Sequence, residues 1–229
     1  MIDDKKISAV ITAAGNGLRM KSDKAKPYIE LKGRKILEIC LDTIVSLEEI
    51  DQIIVVIRKD DESYLKDIIK KYHKKISYVF GKETRELSTY EGLKAVDKNS
   101  KLVLTHDGVR PFASKELFEK VIENLKEYKA VISAVKSKDT VKIVDENLLV
   151  KNTPLRKEVY NVQTPQAFDK ELILDYYKKY IQSDFTITDD SQLFEIFSEE
   201  KIKVVEGEYS NIKMTTPEDL IFARGFLED

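Results

Sequence analysis

The sequence predicts an α/β protein: a mainly parallel sheet flanked by helices, with a small β-arm standing off it. Three observations predict it. Short apolar, β-branched runs alternate with stretches of helical spacing, the pattern of right-handed βαβ units. The first such run breaks into Ala14-Gly15-Asn16-Gly17, a turn that lets backbone amides approach an anion closely. From 136 to 162 the pattern weakens into a polar ribbon around Asp145-Glu146-Asn147.

Taken in order, residues 7–11 carry Ile7, Ala9, Val10 and Ile11 and read as a buried central strand. The loop behind them places Arg19 two residues past the second glycine and Lys26 seven beyond that. A strand that enters a glycine turn bearing two cations suggests a seat for a triphosphate. The alternative is a βα turn with solvated charges. Met20 occupies the position where both the dinucleotide fingerprint and the P-loop require glycine, so neither motif is present.

Residues 35–47 have the apolar spacing of a helix, with Cys40 on the core face as an inert packing residue. Residues 52–58 form a second strand, 60–73 a helix with His73 at its surface end, and 76–80 a third strand stopping at Gly81. Residues 81–93 begin as a glycine turn and become helical, with Ser88 on the side of Arg85 and Gly92. Strand 101–105 ends in His106-Asp107-Gly108-Val109-Arg110-Pro111. At that strand end Asp107 suits a Mg²⁺ ion or a ribose hydroxyl, or else a turn carboxylate paired with Arg110. A helix over 114–128 and a strand over 130–135 follow.

The ribbon at 137–162 has too little apolar surface to fold alone, which predicts a homodimer packed through it. Residues 163–168 return to the body. A helix at 170–181, a second helix ending near 198 and a last strand at 202–205 complete the sheet. Thr216, Pro217 and Asp219 form a capping arrangement for the final helix, with Lys213 just ahead of it. The organisation read from this is one domain over 1–229 with the β-arm within it.

Composition excludes several classes. The 39 basic and 41 acidic residues give a net charge of −2, so nucleic acid is not expected as a partner and an anion site must be a local cluster. One cysteine rules out an intramolecular disulfide framework and a Cys-rich zinc site. No apolar run approaches a membrane span and MIDDKK leads straight into the first strand, so a cytoplasmic location without membrane association is expected.

The candidate site residues are mostly Arg, Lys, Thr and Asp, with no Ser-His-Asp arrangement and His106 the nearest histidine. Phosphoryl and nucleotidyl transfer need little acid–base work and depend on positioning and charge neutralisation. An attacking phosphate monoester is largely dianionic near pH 7 and needs no general base. It needs cations that hold two repelling anions in line, with Mg²⁺ on the leaving pyrophosphate.

The runs AAGNGLRM with Lys26, HDGVRPF, Asp139-Thr140, QTPQAF, TITDD and NIKMTTPEDL, in that order, resemble the IspD family of cytidylyltransferases. The resemblance covers 7–226 and implies a Rossmann-like nucleotidyltransferase fold of the glycosyltransferase-A kind. It implies that CTP and 2-C-methyl-D-erythritol 4-phosphate are joined to CDP-methylerythritol for isoprenoid precursors, with a divalent cation such as Mg²⁺. By the same resemblance, Ala13, Ala14, Gly15 and Gly17 wrap the nucleotide, and Arg19 and Lys26 stabilise the pentavalent phosphorus. Gly81 and Ser88 take the nucleoside side, Asp107 the nucleoside or metal side, and Arg110 supports that turn. Thr140, Arg156, Thr164 and Lys213 hold the polyol phosphate, Arg156 reaching the neighbouring subunit's site. The catalytic set is thus Arg19, Lys26, Arg156 and Lys213.

The sequence departs from the family pattern at Thr12, at Lys82 beside Glu83, and at Tyr160 in the segment from Leu155, where Tyr160 is more like ribitol-5-phosphate enzymes. CDP-ribitol synthesis is therefore an alternative. A nicotinamide dehydrogenase lacks its glycine at Met20, and a non-catalytic nucleotide-binding dimer is the more distant reading.

Overall fold

The computed structural model describes residues 5–15 and 25–226. Its centre is a seven-stranded sheet of β1 (Lys6–Thr12), β4 (Ile50–Ile57), β5 (Ile76–Phe80), β6 (Ser100–Asp107), β7 (Ala130–Lys136), β10 (Tyr160–Asp169) and β11 (Ile202–Glu206). The order across the sheet is β11-β7-β10-β6-β1-β4-β5. β1 lies parallel between β4 and β6, and β10 alone runs antiparallel, wedged between β6 and β7. The predicted mainly parallel sheet is therefore present with one reversed member. The reversal follows from the chain path, because β10 returns directly from the arm that leaves β7, without a crossover helix.

Both faces of the sheet are covered, which explains strands whose apolar residues point to both faces. Ile7, Ala9, Ile11, Ile53, Val55 and Ile57 face one core with α1 (Ile36–Ser46), α2 (Glu62–Ile69) and α4 (Lys115–Asn124). Val10, Ile54, Val56 and Val103 face the other with α3 (Arg85–Lys94), α5 (Lys170–Ile181) and α6 (Gln192–Phe197). Cys40 is buried on α1, where desolvation pushes its thiol up, as an inert packing residue requires.

Helix starts follow local chemistry. Thr84 Oγ1 accepts from Leu87 N at 3.2 Å, Ser114 Oγ from Leu117 N at 3.0 Å and Asp169 Oδ1 from Glu171 N at 3.1 Å. The predicted capping of α7 (Pro217–Gly225) is present, Asp219 Oδ2 accepting from Thr216 N at 2.7 Å. The helix expected over 60–73 opens as a 3₁₀ turn, Lys59–Asp61, and α2 stops at Ile69. Residues 70–75 are lysine-rich, and Tyr72, which packs on the core, is their one apolar contact with it.

Sequence reading assigns no element to residues 30–34 and starts the first helix at Lys35. Residues 30–35 form a small hairpin of β2 (Glu30–Leu31) and β3 (Arg34–Lys35), turned by Lys32 and Gly33 at φ of 46° and 77°. Two-residue strands are too short to show a period. The hairpin matters because Leu31 and Ile36 pack with Met214 and Ala223, clamping the segment that carries Lys213.

The ribbon is realised as β8 (Ile143–Val144) paired with β9 (Val150–Asn152), closed by Asp145 Oδ1 accepting from Asn147 N and Leu149 N at 2.9 Å. Its apolar side chains stand in solvent, Leu148 at 80% and Leu149 at 64% exposure.

One glycine fixes how closely α3 approaches the sheet. A Cβ on Gly92 would lie 2.4 Å from Val10 Cγ1 and 2.7 Å from Val56 Cγ2. Gly92→Ala is expected to push α3 outward and destabilise the fold by about 1–3 kcal/mol, read as a lower urea midpoint at unchanged slope.

Candidate active site

The loops leaving β1, β5 and β6 meet at the carboxyl ends of the strands, the place where parallel sheets bind ligands. Backbone hydrogen bonds tie them together: Ala13 N to Val56 O at 2.8 Å, Gly81 N to Ile57 O at 2.8 Å and Gly108 N to Thr12 O at 2.9 Å. They enclose a cleft of about 400 Å³. Ala13, Ala14 and Gly15 form one wall, Lys82 to Ser88 a second, and Lys26, Asp107 and Lys213 to Thr215 the floor and far side. Seven of the residues named from sequence thus line one cleft: Ala13, Ala14, Gly15, Lys26, Ser88, Asp107 and Lys213. Gly17 and Arg19 lie outside the described residues.

Three others stand behind the cleft wall. Gly81 admits no side chain, since a Cβ there would sit 2.5 Å from Ala14 Cβ and 2.7 Å from Ser88 Oγ. Arg110 donates from Nε to Asp107 Oδ2 at 3.1 Å and from Nη1 to Asn211 O at 2.9 Å, so it ties Asp107 to the segment before Lys213. Thr164 is buried, and its Oγ1 accepts from Asp107 N at 3.0 Å. Thr164 reaches that position through a break in the β10 ladder between Val162 and Gln166, where Pro165 has no N–H to give. Thr140 and Arg156 are exposed on the arm and are not among the residues lining the cleft of their own chain.

Charge in the cleft is organised by Asp107. Its Oδ2 takes Lys213 Nζ at 3.0 Å and Arg110 Nε at 3.1 Å, while Oδ1 faces Arg85 Nε at 3.6 Å. Burial alone would raise its pKa, but Lys213, Arg85 and Arg110 together hold the carboxyl well below the usual carboxylate range. Lys26, also buried, donates from Nζ to Thr215 O at 2.9 Å, which brings the two predicted lysines to neighbouring segments. Ser88 Oγ accepts from Lys82 N at 2.9 Å and donates to Lys82 O at 3.2 Å. The hydroxyl thereby fixes the turn at Lys82, beside the predicted nucleoside wall.

Among the described residues, no group of three or more His, Cys, Asp or Glu side chains converges as a metal centre. Asp107 already faces three cations, so the donor set does not fit a cage built by the protein. It fits a cation carried on phosphate oxygens, to which Asp107 could lend one oxygen.

Sequence reasoning missed a buried hub behind this cleft. Arg85 donates to both oxygens of Asp190, at 2.9 and 3.4 Å, and Asp190 also accepts from Tyr177 and Thr105. Asp190, in the TITDD run, was legible as a motif residue, but its partner lies 105 residues away. Asn211 was missed likewise. It is buried and donates from Nδ2 to Thr164 O at 2.8 Å.

A mainly parallel α/β sheet with Lys26, Arg85 and Lys213 lining a cleft at its strand ends suits a nucleotidyltransferase, whose chemistry rests on positioning and charge neutralisation. Comparisons with known proteins agree. The model of the IspD family, 2-C-methyl-D-erythritol 4-phosphate cytidylyltransferase, matches residues 7–229, and the chain belongs to that family. Relatives bearing that name include one from Caldanaerobacter subterraneus subsp. tengcongensis, 40% identical over 96% of this chain and 98% of its own. One from Clostridium novyi is 41% identical over 96% of each. The crystal structure of 4-diphosphocytidyl-2C-methyl-D-erythritol synthase from Anaerococcus prevotii is 63% identical, covers 100% of this chain and 98% of its own, and superposes with a TM-score of 0.93. The 2-C-methyl-D-erythritol 4-phosphate cytidylyltransferase from Thermus thermophilus, at 26% identity, covers 98% of this chain and all of its own with a TM-score of 0.79.

His106 gives the site an acid limit. Its Nε2 lies 3.2 Å from Arg110 O and its Nδ1 3.0 Å from Thr164 Oγ1, which requires the Nε2–H tautomer with Nδ1 accepting from the threonine. Burial pushes its pKa down to about 4. The unfolded chain, with a histidine pKa of about 6.5, binds the proton first. Stability is therefore full above about pH 6.5 and falls by about 3 kcal/mol as pH drops toward 4. Asp107, whose pKa is depressed, adds a further loss only below its unfolded value of about 3.9. Urea midpoints between pH 7 and 4.5 should fall more steeply for the native protein than for His106→Asn.

Proposed function

We propose that this chain joins CTP to 2-C-methyl-D-erythritol 4-phosphate. An oxygen of the polyol phosphate bonds to the α-phosphorus of CTP, the bond from that phosphorus to the oxygen bridging the β-phosphate breaks, and pyrophosphate leaves. The observation that carries the reading is the convergence of Lys26, Lys213, Arg85 and Asp107 on one cleft in a chain that matches the IspD family almost end to end. The dianionic attacking phosphate needs no proton removed, so the reaction calls for cations in the cleft rather than a general base.

In this reading Ala13, Ala14, Gly15 and Gly17 present backbone to the triphosphate, with Gly81 and Ser88 shaping the nucleoside wall. Arg19 and Lys26 neutralise the charge that gathers around phosphorus as the new bond forms. Lys213 leaves Asp107 to take the polyol phosphate, an exchange of one anion for another. Arg110 and Thr164 keep Asp107 in place during that exchange. Asp107 would be the residue to lend an oxygen to a divalent cation, Mg²⁺ by expectation, and such a cation would supply charge neutralisation for the leaving pyrophosphate.

The proposal includes one domain over 1–229, a cytoplasmic location and a homodimer through 137–162. Among the described residues, no helix is long and apolar enough to cross a membrane. Support for the dimer comes from the arm itself: Ile143, Val144, Leu148, Leu149, Val150 and Leu155 are exposed among the described residues. Thr140 and Arg156 then complete the partner's cleft.

Pyrophosphate release from CTP should require 2-C-methyl-D-erythritol 4-phosphate. Ribitol 5-phosphate is the discriminating control, since Tyr160 on the arm's return strand is 37% exposed and has a hydroxyl to offer. A preference for ribitol phosphate that collapses in Tyr160→Phe would overturn the substrate assigned here. Arg19→Ala and Lys26→Ala should each lower turnover by roughly 10² or more, the scale for a lost preorganised charge. Weaker CTP binding at unchanged turnover would reduce them to docking groups.

The shared site has its own test. Arg156→Ala and Lys26→Ala subunits, mixed and allowed to exchange, should regain activity toward one intact site per heterodimer. Inactivity after demonstrated exchange would place Arg156 outside the partner's site.

A further inference from the structure

Asp190 is fully buried, and its carboxylate accepts four hydrogen bonds from side chains of the described residues. Oδ1 accepts from Arg85 Nη1 at 2.9 Å and from Tyr177 Oη at 2.6 Å. Oδ2 accepts from Thr105 Oγ1 at 2.9 Å and from Arg85 Nη2 at 3.4 Å. Arg85 leaves this grip only 26% exposed, and it lines the cleft with its Nε 3.6 Å from Asp107 Oδ1. Asp107 in turn holds Lys213 at 3.0 Å. Asp190 therefore stands two ionic steps behind the Asp107–Lys213 pair without touching the cleft.

The chemistry of these contacts is specific. Two nitrogens on two oxygens fix both the position and the plane of a guanidinium, which a lysine at 85 could not reproduce. Burying a carboxylate carries a desolvation penalty that apolar packing at the same place would avoid. Here the penalty is offset by four donors, two of them on the one cation that also faces Asp107.

We propose that Asp190 is a positioning residue for the transfer reaction. By fixing the Arg85 guanidinium it sets where Asp107 stands, and through Asp107 where Lys213 waits for the polyol phosphate. With Asp190 neutral, Arg85 has Asp107 as its one remaining carboxylate and is drawn onto it, loosening the hold on Lys213. The inference rests on the cleft being the cytidylyl-transfer site, and its test is built so that the two can fail separately.

Asp190→Asn keeps the shape, removes the charge and leaves one oxygen, for Tyr177 or for Thr105. Two readouts apply. The first is turnover: kcat should fall roughly tenfold to a hundredfold, the scale of a small misplacement, with KM for CTP nearly unchanged. Placing Asp190→Asn in an Arg85→Gln background should cause no further loss, whereas a general packing defect would add. The second is independent of activity. In protein whose lysines carry ¹³C-methyl groups, the Lys213 resonance, assigned by its absence in Lys213→Arg, should move in Asp190→Asn and in Arg85→Gln.

An unmoved Lys213 resonance, or losses that add in the double variant, overturns the proposal. Should Asp190→Asn not fold, Tyr177→Phe removes one donor and keeps the charge. Its Lys213 resonance should move in the same direction by less, and no movement again overturns the idea. If the native protein releases no pyrophosphate from CTP yet the resonance moves, the positioning role stands and the reading of the cleft falls.

Discussion

Three cations drawn from separate parts of the chain meet on the carboxylate of Asp107, and the active cleft depends on that meeting. Arg85 comes from the start of α3, Arg110 from the loop after β6 and Lys213 from the segment before α7. A buried carboxylate without partners would be neutral, because burial disfavours its charge. With them it stays ionised and acts as the fixed negative point against which the cations are set. Deleting one partner of such a cluster costs about 3–5 kcal/mol in typical cases, since the others are left with uncompensated charge. The arrangement is thus stable as a set and sensitive in each part. Asp190 extends it inward, so that Arg85 answers to two carboxylates at once and its pKa is raised by Asp190 first and Asp107 after it.

The scaffold earns its precision from the sheet. β1 and β6 are registered from Lys6 to Thr12 against Ser100 to Asp107, so the glycine-bearing turn and Asp107 emerge side by side. Residues on both faces are fully buried, and their packing leaves those strand ends little freedom. A cleft that works by electrostatic placement needs such a base, because donors that shift with the substrate lose their advantage over water. The small hairpin after Lys26 serves the same end from the other side, seating Met214 in a cluster of its own.

The arm is a different kind of structure. Two short strands held by one Asx-type turn carry their apolar side chains outward, where they stand exposed among the described residues. An isolated hairpin of this size is marginal in water. In the proposed homodimer the arm's order and its contribution to catalysis would belong to the assembled state, whereas the core and the Asp107 cluster form among the described residues of one chain. On that proposal, stability and completeness of the site are set by separate parts of the molecule.

How much of this was written in the sequence differs between fold and site. Helix α5, β5 and the capping of α7 were legible at their true bounds, because periodicity and capping are local and the local signal was strong. Residues at strand ends, Ala13 to Gly15 and Asp107, could be placed in one site since parallel strands bring their carboxyl ends together. The reversed direction of β10 and the hairpin at Glu30–Lys35 were not legible, one depending on chain path and the other too short to show a period. The pairing of Arg85 with Asp190, of Arg110 with the carbonyl of Asn211 and of Thr164 with His106 appeared only in the folded molecule. Sequence determines which residues are able to carry charge and which stretches must be buried. Tertiary structure alone decides which charges face each other, because contacts that span 58 to 105 residues are fixed by how whole elements pack.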